Sequence, residues 1–101
     1  MIRVPTNRPP THPGEMLREE FLAPMHIDEQ QLAESIHVSH ERIKEIISDR
    51  KSINPSIALR LAKYFGMSPD FWISLQLRWD LYQTQQGESE DLKAIRPHVA
   101  A

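Results

Sequence analysis

DEQQLAESIHVSHERIKEII, residues 28–47, reads as two short helices joined by a tight turn. Asp28 is placed to cap the first, with Gln31 at N3, where it can reach back to complete a capping box. Ile27 before the cap and Leu32 at N4 suit a hydrophobic staple. Leu32, Ala33 and Ile36 then make one apolar stripe, and after the turn Ile43, Ile46 and Ile47 make another. Ala33 is small, as a close crossing of two helices requires. Ser39 stands where it can cap the second helix.

Such a pair is the helix-turn-helix, whose second helix normally lies in the major groove of DNA. The turn position usually held by glycine is His37 here. That position wants a left-handed backbone, which costs a non-glycine residue roughly 1 kcal/mol. Histidine tolerates it better than most. The outward residues at the start of the second helix are Ser39, His40, Glu41, Arg42, Lys44 and Glu45. Ser39 could donate to a phosphate besides capping. His40, Glu41 and Lys44 are long enough to reach base edges, where lysine prefers guanine and glutamate accepts from cytosine N4. Ser39, His40, Glu41 and Lys44 are therefore the expected base-reading set. Arg42, Arg50 and Lys51 are expected to hold phosphates, fixing register without reading sequence. For any one of these residues a plain solvated role is the competing reading.

The charge distribution agrees with that placement. The whole chain carries −2, which argues against a generic nucleic-acid coat. Residues 37–63 nevertheless hold six basic groups (Arg42, Lys44, Arg50, Lys51, Arg60, Lys63) against three acidic ones (Glu41, Glu45, Asp49). The remainder carries −5 and is free to meet a basic partner.

At 101 residues the chain is read as one domain. No run approaches the ~20 apolar residues of a membrane span, and MIRVPTNRPPTHPG lacks the apolar core of a secretory signal. There is no cysteine, hence no disulfide or cysteine-based metal site. A cytoplasmic protein with no membrane contact is expected. Residues 1–12, with Pro5, Pro9 and Pro10, are expected to be an extended arm. Residues 13–86 are expected to form the helical domain. Helix 1 is predicted from Pro13 to before Pro24, with Met16, Leu17 and Phe21 inward. Helix 4 has Asn54 as cap, Pro55 at N1 and Gly66 at C′, with Ile57, Ala58, Leu61, Ala62 and Phe65 inward. Residues 87–101 hold too few apolar groups to fold alone and are expected to be flexible or ordered by a partner.

Helix 5, from about Ser68 to Gln85, carries two apolar stripes. Phe71, Trp72, Leu75, Trp79 and Tyr82 fall in one arc, and Ile73, Leu77 and Leu81 form a second. Ser74 and Arg78 divide them on one side, Gln76, Asp80 and Gln83 on the other. One apolar stripe suffices for a surface helix, so two imply burial against both the domain and another chain. Trp72, Ile73, Leu77, Trp79 and Leu81 are the candidates for a homodimer contact. A helix sandwiched inside its own monomer is the alternative.

Catalysis finds little support. His37 and His40 straddle the turn without a third ligand at a familiar spacing, HExxH is absent, and the only glycines are Gly14, Gly66 and Gly87. The serines fall at caps, and His12 is better placed to cap a helix than to act as a base. No metal or cofactor is expected.

HPGEMLREEFLAPM (residues 12–25), LAESIHVSHERIKEII (32–47) and INPSIALRLAKYFGMSPDFWISLQLRWDL (53–81) together resemble the HigA-type antitoxins. These are a branch of the phage-repressor-like (XRE/Cro-type) helix-turn-helix proteins. The resemblance spans roughly residues 12–82, and HPGEMLREEFL and FGMSPDFW are what separate it from general helix-turn-helix repressors. It implies an all-α, five-helix phage-repressor-like domain with the helix-turn-helix at helices 2 and 3. It also implies a homodimer on double-stranded operator DNA that represses its own operon and neutralises a cognate RNase toxin. A stand-alone repressor and a helical interaction module without DNA binding are the other readings.

Overall fold

Four helix starts are capped by the side chains that the sequence placed there. His12 accepts at Nδ1 from the Gly14 N–H (2.9 Å), Asp28 from Gln31 (2.7 Å), Ser39 from Arg42 (3.1 Å) and Asn54 from Ile57 (2.9 Å). Each satisfies a backbone donor that a helix start leaves open. Only this half of the Asp28–Gln31 capping box forms among the described residues. The computed structural model describes residues 9–48 and 50–99, so most of the proposed arm (1–8), Asp49 and the last two residues lie outside it.

All regular structure in the described residues is helical. α1 is continuous through Pro13–Met16, Leu17–Leu22 and Ala23–Met25; α2 is Glu29–Ile36 and α3 His40–Ile47. α4 is Pro55–Phe65, α5 Asp70–Gly87 and α6 Ser89–Ala94. The helix-turn-helix thus falls at α2 and α3, as expected. α6 adds a sixth helix to the five anticipated, within the segment read as a tail, and none of its residues is buried.

α1 does not stop before Pro24. Its middle, Leu17–Leu22, is a π-helix, and the Ala23 N–H donates to the Arg18 carbonyl five residues back. A proline ring inside an α-helix collides with the carbonyl four residues earlier and offers no N–H. Wide turns ahead of Pro24 let the helix continue through it.

Two helices end in histidines in the left-handed region. His26 (φ 56°, ψ 42°) closes α1, and His37 (φ 60°, ψ 48°) closes α2; Gly66 (φ 68°) closes α4. Around His37 the bonds form a Schellman motif, with the His37 N–H on Glu34 O (3.3 Å) and the Val38 N–H on Ala33 O (3.0 Å). The bonds around His26 repeat it, from His26 to Ala23 (3.3 Å) and from Ile27 to Leu22 (3.0 Å).

One core unites all of this. Leu17, Leu32, Ile43, Ile46, Leu61 and Trp72 are fully enclosed. Phe21 lies between Phe65 (ring centroids 4.9 Å) and Trp72 (5.0 Å), tying α1 to α4 and α5. Gly14 sets how closely α1 approaches α3. A Cβ there would strike the Ile46 carbonyl, 2.8 Å from its carbon and 3.0 Å from Ile47 Cα.

Two readings of α5 change. Trp72 is fully buried in its own domain, so it cannot present a face to another chain. Gln76, read as a surface divider, is also buried; its Oε1 accepts from the Ile53 N–H (2.7 Å) and its Nε2 donates to Asp80 (2.9 Å). Of the arc, Trp72, Leu75, Trp79 and Tyr82 face the domain and Phe71 is exposed; Trp79, expected at the dimer contact, instead meets His12 edge-on (4.9 Å) on the domain side. Ile73, Leu77 and Leu81 stay exposed.

Candidate nucleic-acid interface

α3 buries Ile43, Ile46 and Ile47, which turns the opposite side of the helix outward. Ser39, His40, Glu41 and Lys44 are all exposed, as the base-reading expectation requires. Ser39 spends one lone pair on the Arg42 N–H and keeps its own proton to donate. His40 and Lys44, one turn apart, line an open groove of 580 Å³ with Arg18 and Leu22 of α1 and Asp28, Glu29 and Gln30 at the start of α2. His40 Nε2 lies 3.8 Å from Glu29 Oε1. Glu41 stands outside that groove.

The three proposed phosphate residues are not equivalent. Arg50 and Lys51 are exposed on the loop after α3, and their N–H groups both reach the Glu45 carbonyl (2.9 and 3.2 Å). Arg42 is half-buried, and its Nε is enclosed without a hydrogen-bond partner. Only the end of that side chain is free to reach a ligand. The loop itself is held from below, because the Ile53 N–H sits on Gln76.

Three contributors escaped the sequence reading. Gln76 lies four residues after Trp72, about 40° away on a helix, and that offset could have placed it on the inner arc. Gly14 carries no sign of its close approach. Arg60, counted only as part of the basic stretch, donates from Nη1 to the carbonyls of Ile36 (2.8 Å) and His37 (3.3 Å).

The family described as helix-turn-helix matches residues 17–72. The antitoxin HigA-1 of Vibrio cholerae is 36% identical, over 91% of this chain and 87% of that protein. The chain belongs to the HigA-type helix-turn-helix antitoxins. Virulence-associated protein I of Dichelobacter nodosus is 40% identical over 88% of the chain and 82% of its own length. Among solved structures, the Pseudomonas aeruginosa antitoxin HigA with the higBA promoter superposes with a TM-score of 0.85 at 33% identity. That likeness covers 89% of this chain and 99% of the other. This family is one of regulators and antitoxins and is not enzymatic. Among the described residues no helix of this HigA-type chain is long and apolar enough to cross a membrane.

Proposed function

We propose that this chain is the antitoxin of a toxin–antitoxin pair, a cytoplasmic homodimer that binds its own operator, represses that operon and neutralises an RNase toxin. The observation that carries the reading is the exposed polar row on α3, in a fold whose HigA relative was solved with a promoter. Ser39, His40, Glu41 and Lys44 read bases, and Arg50 and Lys51, with the end of Arg42, hold phosphates. The exposed stripe Ile73, Leu77 and Leu81 joins two copies, so that two α3 helices enter successive major grooves about 34–36 Å apart. Trp79, packed on His12, supports that helix from the domain side. The exposed carboxylates of α1 (Glu15, Glu19, Glu20) offer a basic toxin an acidic surface.

Footprinting on the DNA upstream of the gene tests the first half. Two protected half-sites one helical turn apart are the expected result, and no protection refutes it. Co-expression with a short basic reading frame beside the gene tests the second. Restored growth supports the antitoxin; DNA binding with no neutralised partner leaves a stand-alone repressor.

A further inference from the structure

We propose that Arg60 is a positioning residue for DNA reading, one that clamps the left-handed turn between α2 and α3 and so sets the direction of α3. The inference rests on the DNA-binding reading above for its consequence, but not for its geometry.

The turn has two weaknesses. His37 occupies a backbone region that disfavours any residue with a Cβ. The Schellman bonds satisfy Ala33 and Glu34, leaving the carbonyls of Ile36 and His37 at the negative end of the α2 dipole. Arg60 reaches both of these from α4 through one nitrogen, at 2.8 and 3.3 Å. Its Nε–H is held by Ser56 Oγ (3.2 Å), one turn earlier on the same helix, which orients the guanidinium. The clamp therefore ties the turn to a rigid element of the core. Val38, Ser39 and His40 follow immediately, so a rotation at His37 would carry the cap and the first reading residue with it.

A lysine carries the same charge but lacks the planar fork, and could not keep the Ser56 bond together with both carbonyls. A phosphate contact is the competing use of Arg60, and there lysine would substitute well. The two uses separate in salt. Losing a phosphate contact lowers the slope of log affinity against log salt by about one unit, whereas losing a clamp leaves it unchanged.

The test compares Arg60→Ala, Arg60→Lys, His37→Gly and the double variant His37→Gly/Arg60→Ala, all in the full chain. Affinity for the upstream operator fragment is measured across a salt series, and amide exchange is followed in the free protein. Both Arg60 variants should bind about tenfold more weakly, the scale of one charge-assisted hydrogen bond, with unchanged salt slope. His37→Gly should change little alone and restore most of the loss in the double variant, because glycine needs no help to stay left-handed. The Val38 amide should exchange faster in Arg60→Ala while the core amides of α5 keep their protection. Wild-type affinity in Arg60→Lys, a shallower salt slope, no rescue by glycine, or equal loosening of α5 would each overturn the assignment. If the wild-type chain bound no operator, the DNA reading would fail, and unchanged Val38 exchange would still refute the clamp separately.

Discussion

Gln76→Leu should lower stability despite adding an apolar side chain to an apolar surrounding. Gln76 is almost wholly buried, and its Oε1 is the acceptor for the N–H of Ile53, itself only 2% exposed. Leucine has nearly the same volume but no acceptor, so the Ile53 donor is left buried and bare. Such a group costs about 1–3 kcal/mol. The lost bond to Asp80 adds little, because Asp80 is exposed and water replaces the amide. Greater apolarity at position 76 offsets part of this, leaving a net loss of roughly 1–2 kcal/mol. For a domain of this size that is a fall in melting temperature of roughly 5–15 °C, read by calorimetry or circular dichroism. Gln76→Glu keeps the acceptor but sets a second carboxylate against Asp80, so it should recover stability only when combined with Asp80→Asn. Since Ile53 ends the loop that bears Arg50 and Lys51, Gln76→Leu should also quicken amide exchange across residues 50–53. A melting temperature within roughly 2 °C of wild type, with unchanged exchange in the loop, would refute the reasoning.

Gly14→Ala normally favours a helix by roughly 0.5–1 kcal/mol, but here the methyl strikes the Ile46 carbonyl, so we expect a net loss of about 1–3 kcal/mol in chemical unfolding; a stabilised variant would place the α1–α3 contact elsewhere. Leu77→Glu and Leu81→Glu should sediment as monomers that retain the wild-type helical spectrum, and an unaltered dimer in both would move the interface off α5. Arg50→Ala and Lys51→Ala should weaken all duplexes alike and lower the salt slope by about one unit per contact. His40→Ala and Lys44→Ala should instead narrow the gap between operator and random DNA by roughly 1–3 kcal/mol per base contact, and identical behaviour of the two groups would show that α3 is wrongly oriented.

The helix-turn-helix was legible because its signals are local. Caps three residues from their donors, and apolar groups three and four apart, specify a helix without reference to the rest of the chain. α1 shows where local rules stop. A proline is a sound reason to end a helix, yet α1 passes through Pro24, and the neighbouring backbone absorbs the ring in a π segment. α5 shows a second limit. Periodicity revealed two apolar stripes but not which one the domain would cover. That depends on rings outside the helix, Phe21 from far back in the chain and Phe65 at the end of α4, which pack against Trp72. Gln76 is a different case: its offset from Trp72 was visible in the sequence, and what the sequence hides is its hydrogen-bond partner, Ile53, 23 residues away.

The candidate site was legible as a list of residues but not as an electrostatic surface. Charge counted along residues 37–63 is positive, but α3 itself carries Arg42 and Lys44 against Glu41 and Glu45, and the excess lies in Arg50, Lys51, Arg60 and Lys63 beyond it. In three dimensions His40 and Lys44 share their groove with Asp28 and Glu29, and Glu41 is exposed beside them. A phosphate laid indiscriminately along this face would meet carboxylates as often as cations. Arg50 and Lys51 lie outside that groove on the loop after α3, so a backbone can be held there while base edges are offered to the mixed surface. Base edges present both donors and acceptors, which a mixed surface can match and a uniformly basic one cannot. Non-specific affinity comes from phosphates alone. On the proposed reading, the acidic residues among those positions would hold down attraction to random duplex while leaving the directional contacts intact. On this argument the modest negative charge of the chain is compatible with sequence-specific DNA binding and favours discrimination over raw affinity.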